Sequence, residues 1–343
     1  MTPADLLGAV ILVALVAYAL LAGADFGGGL WDLFATGPRR AEQRQLIERA
    51  IGPIWEANHV WLILVVVLLF SGFPIAFAAI STTLFTPLVL LLIGIVLRGA
   101  AFTFRAYDDR GDRVQRRWGA VFSAASVLAP LLLGIAVGAI SSGRLRVAAD
   151  GMPLSGPLAA FSPFPLAVGL LACALFAFLA AIYLTVEAEG ELREDFRRRA
   201  LAAGVAVFVT AALSAALSHG EAPRVFAGLT GRRWSALLHL ATGAAAAGAF
   251  AALLARRSHL ARLCAAAQVT LIVLGWGASL YPYVVVPDVT LASASGPRST
   301  QVALLVALAV GALTLFPSLY LLFRIFKGER PFSVVDRRPA RRS

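Results

Sequence analysis

Three charged residues interrupt otherwise apolar stretches of this 343-residue chain: Asp25 in "GADFGGG", Glu56 in "GPIWEANHVWLI" and Arg98 in "LRGAAFTFR". A charged group in apolar surroundings is costly to keep there and so marks a functional candidate. A guanidinium there stays charged and needs a counter-ion. Further acids, Glu187, Glu189 and Glu191, close another apolar run in "YLTVEAEGEL". Each group also has a plainer reading. Glu56 follows Pro53 in what reads as a first helical turn, where the helix dipole favours an acid whatever its function. The three glutamates read equally as a solvated helix end. Arg98 lies seven residues before Arg105, on nearly the same helical face, and either snorkels to the surface or pairs in the interior. Gly27, Gly28 and Gly29 beside Asp25 allow close backbone approach or a non-helical exit from the helix.

Metal chemistry finds little support. Glu56 and His59 form one Glu-x-x-His step, the spacing that di-iron bundles use on two helices, but a second copy is missing from the chain. His59 and His239 fall in or near apolar runs, whereas His219 and His259 belong to connecting segments. No helix carries the paired histidines common in membrane b-type cytochromes. Cys173 and Cys264 sit inside apolar runs, where disulfides and zinc sites are disfavoured, and read as packing residues. The expectation is no metal, and no haem bound by this chain alone. "GADFGGG" is not a dinucleotide fingerprint either, since no strand precedes it and no βαβ unit follows.

These residues must be positioned by helices in lipid. Hydrophobic residues make up 59% of the chain and charged ones only 14%, too few to cover a soluble core of this length. Nine apolar runs are long enough to cross about 30 Å of hydrocarbon: Leu6 to Phe26, Asn58 to Ala79, Thr82 to Phe104, Trp118 to Ile140, Phe161 to Val186, Ala200 to Leu217, Ser235 to Leu254, Leu263 to Val284 and Val302 to Phe326. They are too long and continuous for barrel strands. The predicted fold is an all-α integral membrane bundle of about nine transmembrane helices over residues 1–327, followed by a basic tail over 328–343. The start "MTPADLLGAV" lacks a basic region and reads as a retained first helix rather than a cleaved signal.

Basic residues give the orientation, because cytoplasmic loops concentrate Lys and Arg. With the N-terminus periplasmic and the C-terminus cytoplasmic, 23 of the 30 basic residues fall in inner segments and six in outer ones, leaving Arg98 within a helix. Adding or dropping one helix would destroy that asymmetry. The net charge of +11 is then a topological bias and not a sign of nucleic-acid binding. Asp25, Glu56, Arg98 and the three glutamates all gather toward the inner side.

Six blocks, in order, carry a family resemblance: "GADFGGG", "GPIWEANHVWLI", "LRGAAFTFR", "YLTVEAEGEL", "YPYVVVP" and "PSLYLLFRIFKG". The chain resembles subunit II of the cytochrome bd-type quinol oxidases, including the cyanide-insensitive forms, nearly end to end. The resemblance implies a subunit that carries no haem of its own, supports haem assembly and activity, and packs against a subunit I holding b-type haems, haem d and the quinol site. The complex would oxidise quinol, reduce dioxygen to water and take protons from the cytoplasm, so that charge is separated without a pump. The isolated chain would not be catalytic. A small accessory subunit, membrane lipid and quinone are further implied partners.

Residue by residue, Trp55, Glu56, Asn58 and Trp61 match the family block W-[DE]-x-N-x-V-W-L, whose acid is assigned to a proton path. Asp25 matches the second acid of a D-G-x-D-x-G block whose first acid is replaced here by Ala22. That leaves Glu56 as the principal proton carrier with Asp25 beside it, and His59, Glu187 and Glu191 as supporting groups. Arg98 and Arg105 match the two arginines of the third helix, but the acid often found between them is Thr103 here. Arg98 is therefore expected to find its counter-ion in Glu56 or Asp25. The competing class is a secondary transporter with inner-face acids, whose broken helices would be permitted by Pro74, Pro87, Pro130 and Pro317.

Overall fold

The computed structural model describes residues 2–51, 58–107, 112–148, 152 and 154–327. Trp55, Glu56 and the tail 328–343 lie outside the described residues. The long helices are α1 (Pro3–Leu33), α5 (Phe85–Tyr107), α6 (Asp112–Ser141), α7 (Pro163–Glu187), α8 (Gly190–Glu221), α10 (Arg233–Leu254), α11 (Ser258–Leu280) and α13 (Arg298–Lys327). Shorter ones are α2 (Arg40–Ile51), α3 (Val60–Gly72), α4 (Pro74–Thr83), α9 (Pro223–Thr230) and α12 (Leu291–Ala294). Among the described residues, eight helices are long and apolar enough to cross a bilayer, and a ninth span is counted if α3 and α4 are taken together.

That ninth run departs from the continuous helix expected over Asn58 to Ala79. The chain bends by 117° between α3 and α4. Pro74 is the cause: it has no N–H to continue the ladder, and its ring disfavours helical backbone at Phe73, which adopts φ −136° and ψ 60°. The carbonyl of Gly72 freed by the bend accepts from the Gly296 N–H at 2.9 Å. Pro130 and Pro317, by contrast, sit inside unbroken helices.

The core is organised around α1, which packs against α3, α6, α7 and α11. Its glycines explain how. A Cβ on Gly27 would overlap the carbonyl oxygen of Phe176 on α7, one on Gly28 would come within 2.6 Å of Ile51 Cδ1 on α2, and one on Gly29 would overlap the hydroxyl of Ser126 on α6. Three successive residues on a helix point in three directions, and each here admits a different neighbour. The helix continues through them to Leu33, so close approach is their role and not an early exit. The α6 and α7 crossing is built the same way, with a Cβ on Gly134 reaching 2.6 Å from Gly169 Cα.

Ion pairs fasten both ends of the bundle. At the arginine-rich end Arg39, just before α2, grips Asp195 of α8 through two bonds of 2.8 and 2.7 Å and also reaches Glu191. Arg199 bridges Gln43 at 2.7 Å and the Phe34 carbonyl at 3.1 Å. At the opposite end a two-stranded antiparallel ribbon, β1 (Tyr283–Val285) and β2 (Val289–Thr290), packs with α4 and α12 over Leu7, Phe73 and Leu145. Asp288 between the strands accepts from Arg146 Nε at 2.8 Å and from the Val147 N–H at 2.9 Å. The Arg146 guanidinium holds the Asp288 carboxyl below the usual carboxylate range.

Two outcomes follow from this packing. Gly27→Ala forces α1 off the α7 backbone and is expected to abolish a folded, purifiable protein, whereas Gly243→Ala, which meets no atom within 4 Å, leaves yield and thermal midpoint unchanged in detergent. Because the Asp288 carboxyl is depressed in the fold, its contribution is present above the ordinary carboxylate range near pH 4 and fades as the pH falls below it. Asp288→Asn is expected to cost about 1 kcal/mol at pH 7 in thermal melts and to flatten that acid dependence.

Candidate functional site

Asp25 and Asn58 meet first. The side-chain amide of Asn58 donates to Asp25 Oδ2 at 2.5 Å, tying the start of the α3 segment to α1. Both are buried, at 4% and 1% exposure. The other end of α3 lies against Leu7, a Cβ on Gly72 reaching 3.4 Å from its Cδ1. The segment therefore runs antiparallel to α1 with its polar end at the depth of Asp25. His59 packs in the same place, its ring 5.9 Å from Tyr18 and edge-on to Phe26 at 5.8 Å. Trp61, one turn along, is buried in the core that includes Tyr18 and Phe26.

Arg98 enters this site from α5. It is 2% exposed, far too deep to snorkel, and its Nε donates to Ser126 Oγ at 3.2 Å. The guanidinium lies over the rings of Phe26 at 4.9 Å and Phe122 at 5.2 Å, where ring quadrupoles offset part of its lost hydration. Asp25 is close enough for its charge to act on it. Buried polar atoms here, among them Arg98 Nη2, Tyr18 Oη and Asn58 Oδ1, have no hydrogen-bond partner among the described residues. Donors and acceptors with that much unused capacity are where buried water is held. Ala22, at the position of the missing acid, is fully buried one turn from Asp25.

Other expected residues lie elsewhere. Glu187 and Glu191 are exposed at the arginine-rich end, where Glu191 pairs with Arg39. Trp55 and Glu56 fall outside the described residues, and Arg105 is described by its backbone alone, within α5. No three His, Cys, Asp or Glu side chains among the described residues gather as metal ligands. His239 is committed through Nδ1 to the Ser235 carbonyl at 2.6 Å, and His219 packs edge-on to Phe226.

Sequence reasoning missed Asp32, which is 0% exposed yet near the end of α1. It accepts from Ser123 Oγ at 2.9 Å, and Arg44 Nε lies 3.6 Å from its other oxygen. The signal was available in the spacing. Asp25, Gly29 and Asp32 fall at i, i+4 and i+7 and so share a helical face.

Comparison with known proteins gives a consistent result. Residues 4–326 match the family described as cytochrome bd terminal oxidase subunit II. The cytochrome bd ubiquinol oxidase subunit 2 of Bacillus subtilis is 30% identical over 215 residues, covering 62% of each chain. The cytochrome bd-I ubiquinol oxidase subunit 2 of Escherichia coli is 26% identical over 211 residues, 59% of this chain and 53% of its own. The matched stretch thus spans about half to three fifths of these relatives. A chain in the structure of bd oxidase from Geobacillus thermodenitrificans superposes with a TM-score of 0.80 at 23% identity, over 96% of this chain and 100% of that one, and so shares its fold.

Removing the buried cation tests the site directly. Arg98→Gln removes the buried cation whose charge Asp25 feels and is expected to destabilise the protein by about 3 kcal/mol, read as a lowered thermal midpoint. Arg98→Lys keeps the charge but loses the fork and the flat stacking on Phe26 and Phe122, and should fall between that variant and the parent.

Proposed function

We propose a function from one premise: the chain belongs to the cytochrome bd terminal oxidase subunit II family. It is a multi-pass protein of the bacterial inner membrane. On this reading it pairs with a subunit I that holds the haems and the quinol site. The haems there supply electron transfer and the reduction of dioxygen to water, and this chain supports their assembly and delivers protons. The arginine-rich end is the cytoplasmic end, as the charge bias favours.

The observation that carries the proton role is the buried contact between Asp25 and Asn58 beside Arg98. A carboxylate there needs a physical reason to be retained, since an ionisable group at depth costs about 2.5–3.5 kcal/mol on insertion scales. Arg98 sets a fixed positive charge near Asp25, the Asn58 amide orients the carboxylate, and the unused hydrogen-bonding atoms of Arg98 and Tyr18 suit the water that proton movement requires. Glu56, two residues before Asn58 in sequence, is the second carrier in this reading and the principal one by its motif. Electrons moving to oxygen in subunit I then draw protons inward from one side only, which generates proton motive force.

The transporter alternative loses its footing in the geometry. The one sharply bent helix pair among the described residues breaks beside Leu7, far along α1 from Asp25, rather than at a charged midplane site.

The test uses the whole oxidase in membranes. Glu56→Gln and Asp25→Asn are each expected to slow oxygen consumption with a soluble quinol by roughly tenfold or more, the usual scale for losing a positioned proton-transfer group, and to slow build-up of membrane potential, with the haem spectrum intact. Parental turnover and potential in both variants would sink the proton role.

A further inference from the structure

We propose that Asp32 is a second proton-carrying residue, the one that first receives protons at the arginine-rich end and passes them along the α1 and α6 interface to Asp25. The proposal rests on the proton-path reading above. Asp32 stands seven residues beyond Asp25 on α1, two turns or about 10 Å along the helix. Gly29 lies between them on the same face.

The lane between the two carboxylates is lined by hydroxyls. Ser123 Oγ donates to Asp32 at 2.9 Å. Ser126, one turn along α6, seats its hydroxyl against Gly29, where any side chain would displace it, and accepts from Arg98 Nε at 3.2 Å. Arg98, whose guanidinium lies 4.9 Å over the ring of Phe26, the residue after Asp25, closes the lane at that end. Ser123, Ser126 and Asp32 are each 1% exposed or less, so the lane is sealed from lipid and bulk water along its length. At its mouth stands Arg44 of α2, whose side chain is 29% exposed while that of Asp32 is 1% exposed. Its Nη2 also donates to the Asp32 carbonyl at 3.3 Å. Arg44 thus spans the step from aqueous surface to buried acid.

A simple anchor for α2 would need only a surface acid. Here the acid is fully buried, on the face of Asp25, and one of its oxygens is held by a hydroxyl, a group that both accepts and donates protons. Among the described residues, the charged and titratable groups around it include Arg44 from α2, Asp25 along α1, Arg98 from α5 and, at the turn beyond, Arg199 of α8 on the Phe34 carbonyl. In the transfer, the Asp32 carboxylate takes a proton from water at the arginine-rich end and becomes the acid. It gives that proton to the Ser123 oxygen as the Ser123 proton leaves for Ser126 through a bridging water, and the Ser126 hydroxyl turns from the Phe122 carbonyl, to which it donates at 2.7 Å, and passes its proton through water to the Asp25 carboxylate. Each hydroxyl ends with one proton, Asp32 is again a carboxylate, and one proton has moved inward.

The experiment measures oxygen consumption with a soluble quinol from pH 6 to 8.5 in the assembled oxidase carrying Asp32→Asn, Asp32→Glu or Ser123→Ala, with the haem spectrum as the check on assembly. Asp32→Asn is expected to lower the rate at pH 8 by roughly tenfold and to make it fall steeply with rising pH, because entry then tracks proton concentration. Asp32→Glu should restore most of the rate, and Ser123→Ala should lose about two- to fivefold with the same steepening. A parental rate and pH profile in Asp32→Asn overturns the proposal. Should that variant not assemble, an unaltered pH profile in Ser123→Ala overturns it instead. If Asp25→Asn is slow while Asp32→Asn is normal, only the Asp32 role fails; if Asp25→Asn and Glu56→Gln are also normal, the proton path itself fails.

Discussion

Everything polar in the interior depends on how closely α1 approaches its neighbours. At Gly27 there is room for the α7 backbone and nothing else, and at Gly29 there is room for one hydroxyl from α6. In lipid, helices gain little from hiding apolar surface from one another, so tight backbone contact is among the few forces that fix them. That contact sets the α6 serines beside α1 and so determines where Arg98 finds its oxygen partner.

A charge at such depth survives because several weak terms act together. Arg98 has one hydroxyl, two aromatic faces and nearby carboxylate charge, and no single one of these would offset its desolvation. The ion pairs at the two ends of the bundle work under different rules. Arg39 with Asp195 and Arg146 with Asp288 are partly wet, and their value lies in fixing the loops that close the helix ends.

The architecture was largely legible because lipid imposes one rule, a run of about twenty apolar residues. The extents of α5, α7, α10 and α13 follow their runs within a few residues. The bend at Pro74 was not legible from hydropathy, since α4 is as apolar as a span although it turns away. Of the site, Asp25 and Arg98 announced themselves as charges in apolar sequence, whereas Asn58 came only with the family block. Asp32 did neither, because it stands where the run gives way to polar residues and there looks like an ordinary helix-end acid. Only packing shows that α2 and α6 cover it.

Helix α13 has a different relation to the rest. None of its most apolar window is buried within the chain. For α1 and α7, entering the bilayer and docking are both large events, whereas for α13 nearly all the favourable free energy is released on insertion and little on docking. Within this chain it is a rod leaning on a bundle held together without it, and its outward side chains answer to what surrounds the chain in the membrane rather than to the fit of the chain's own core.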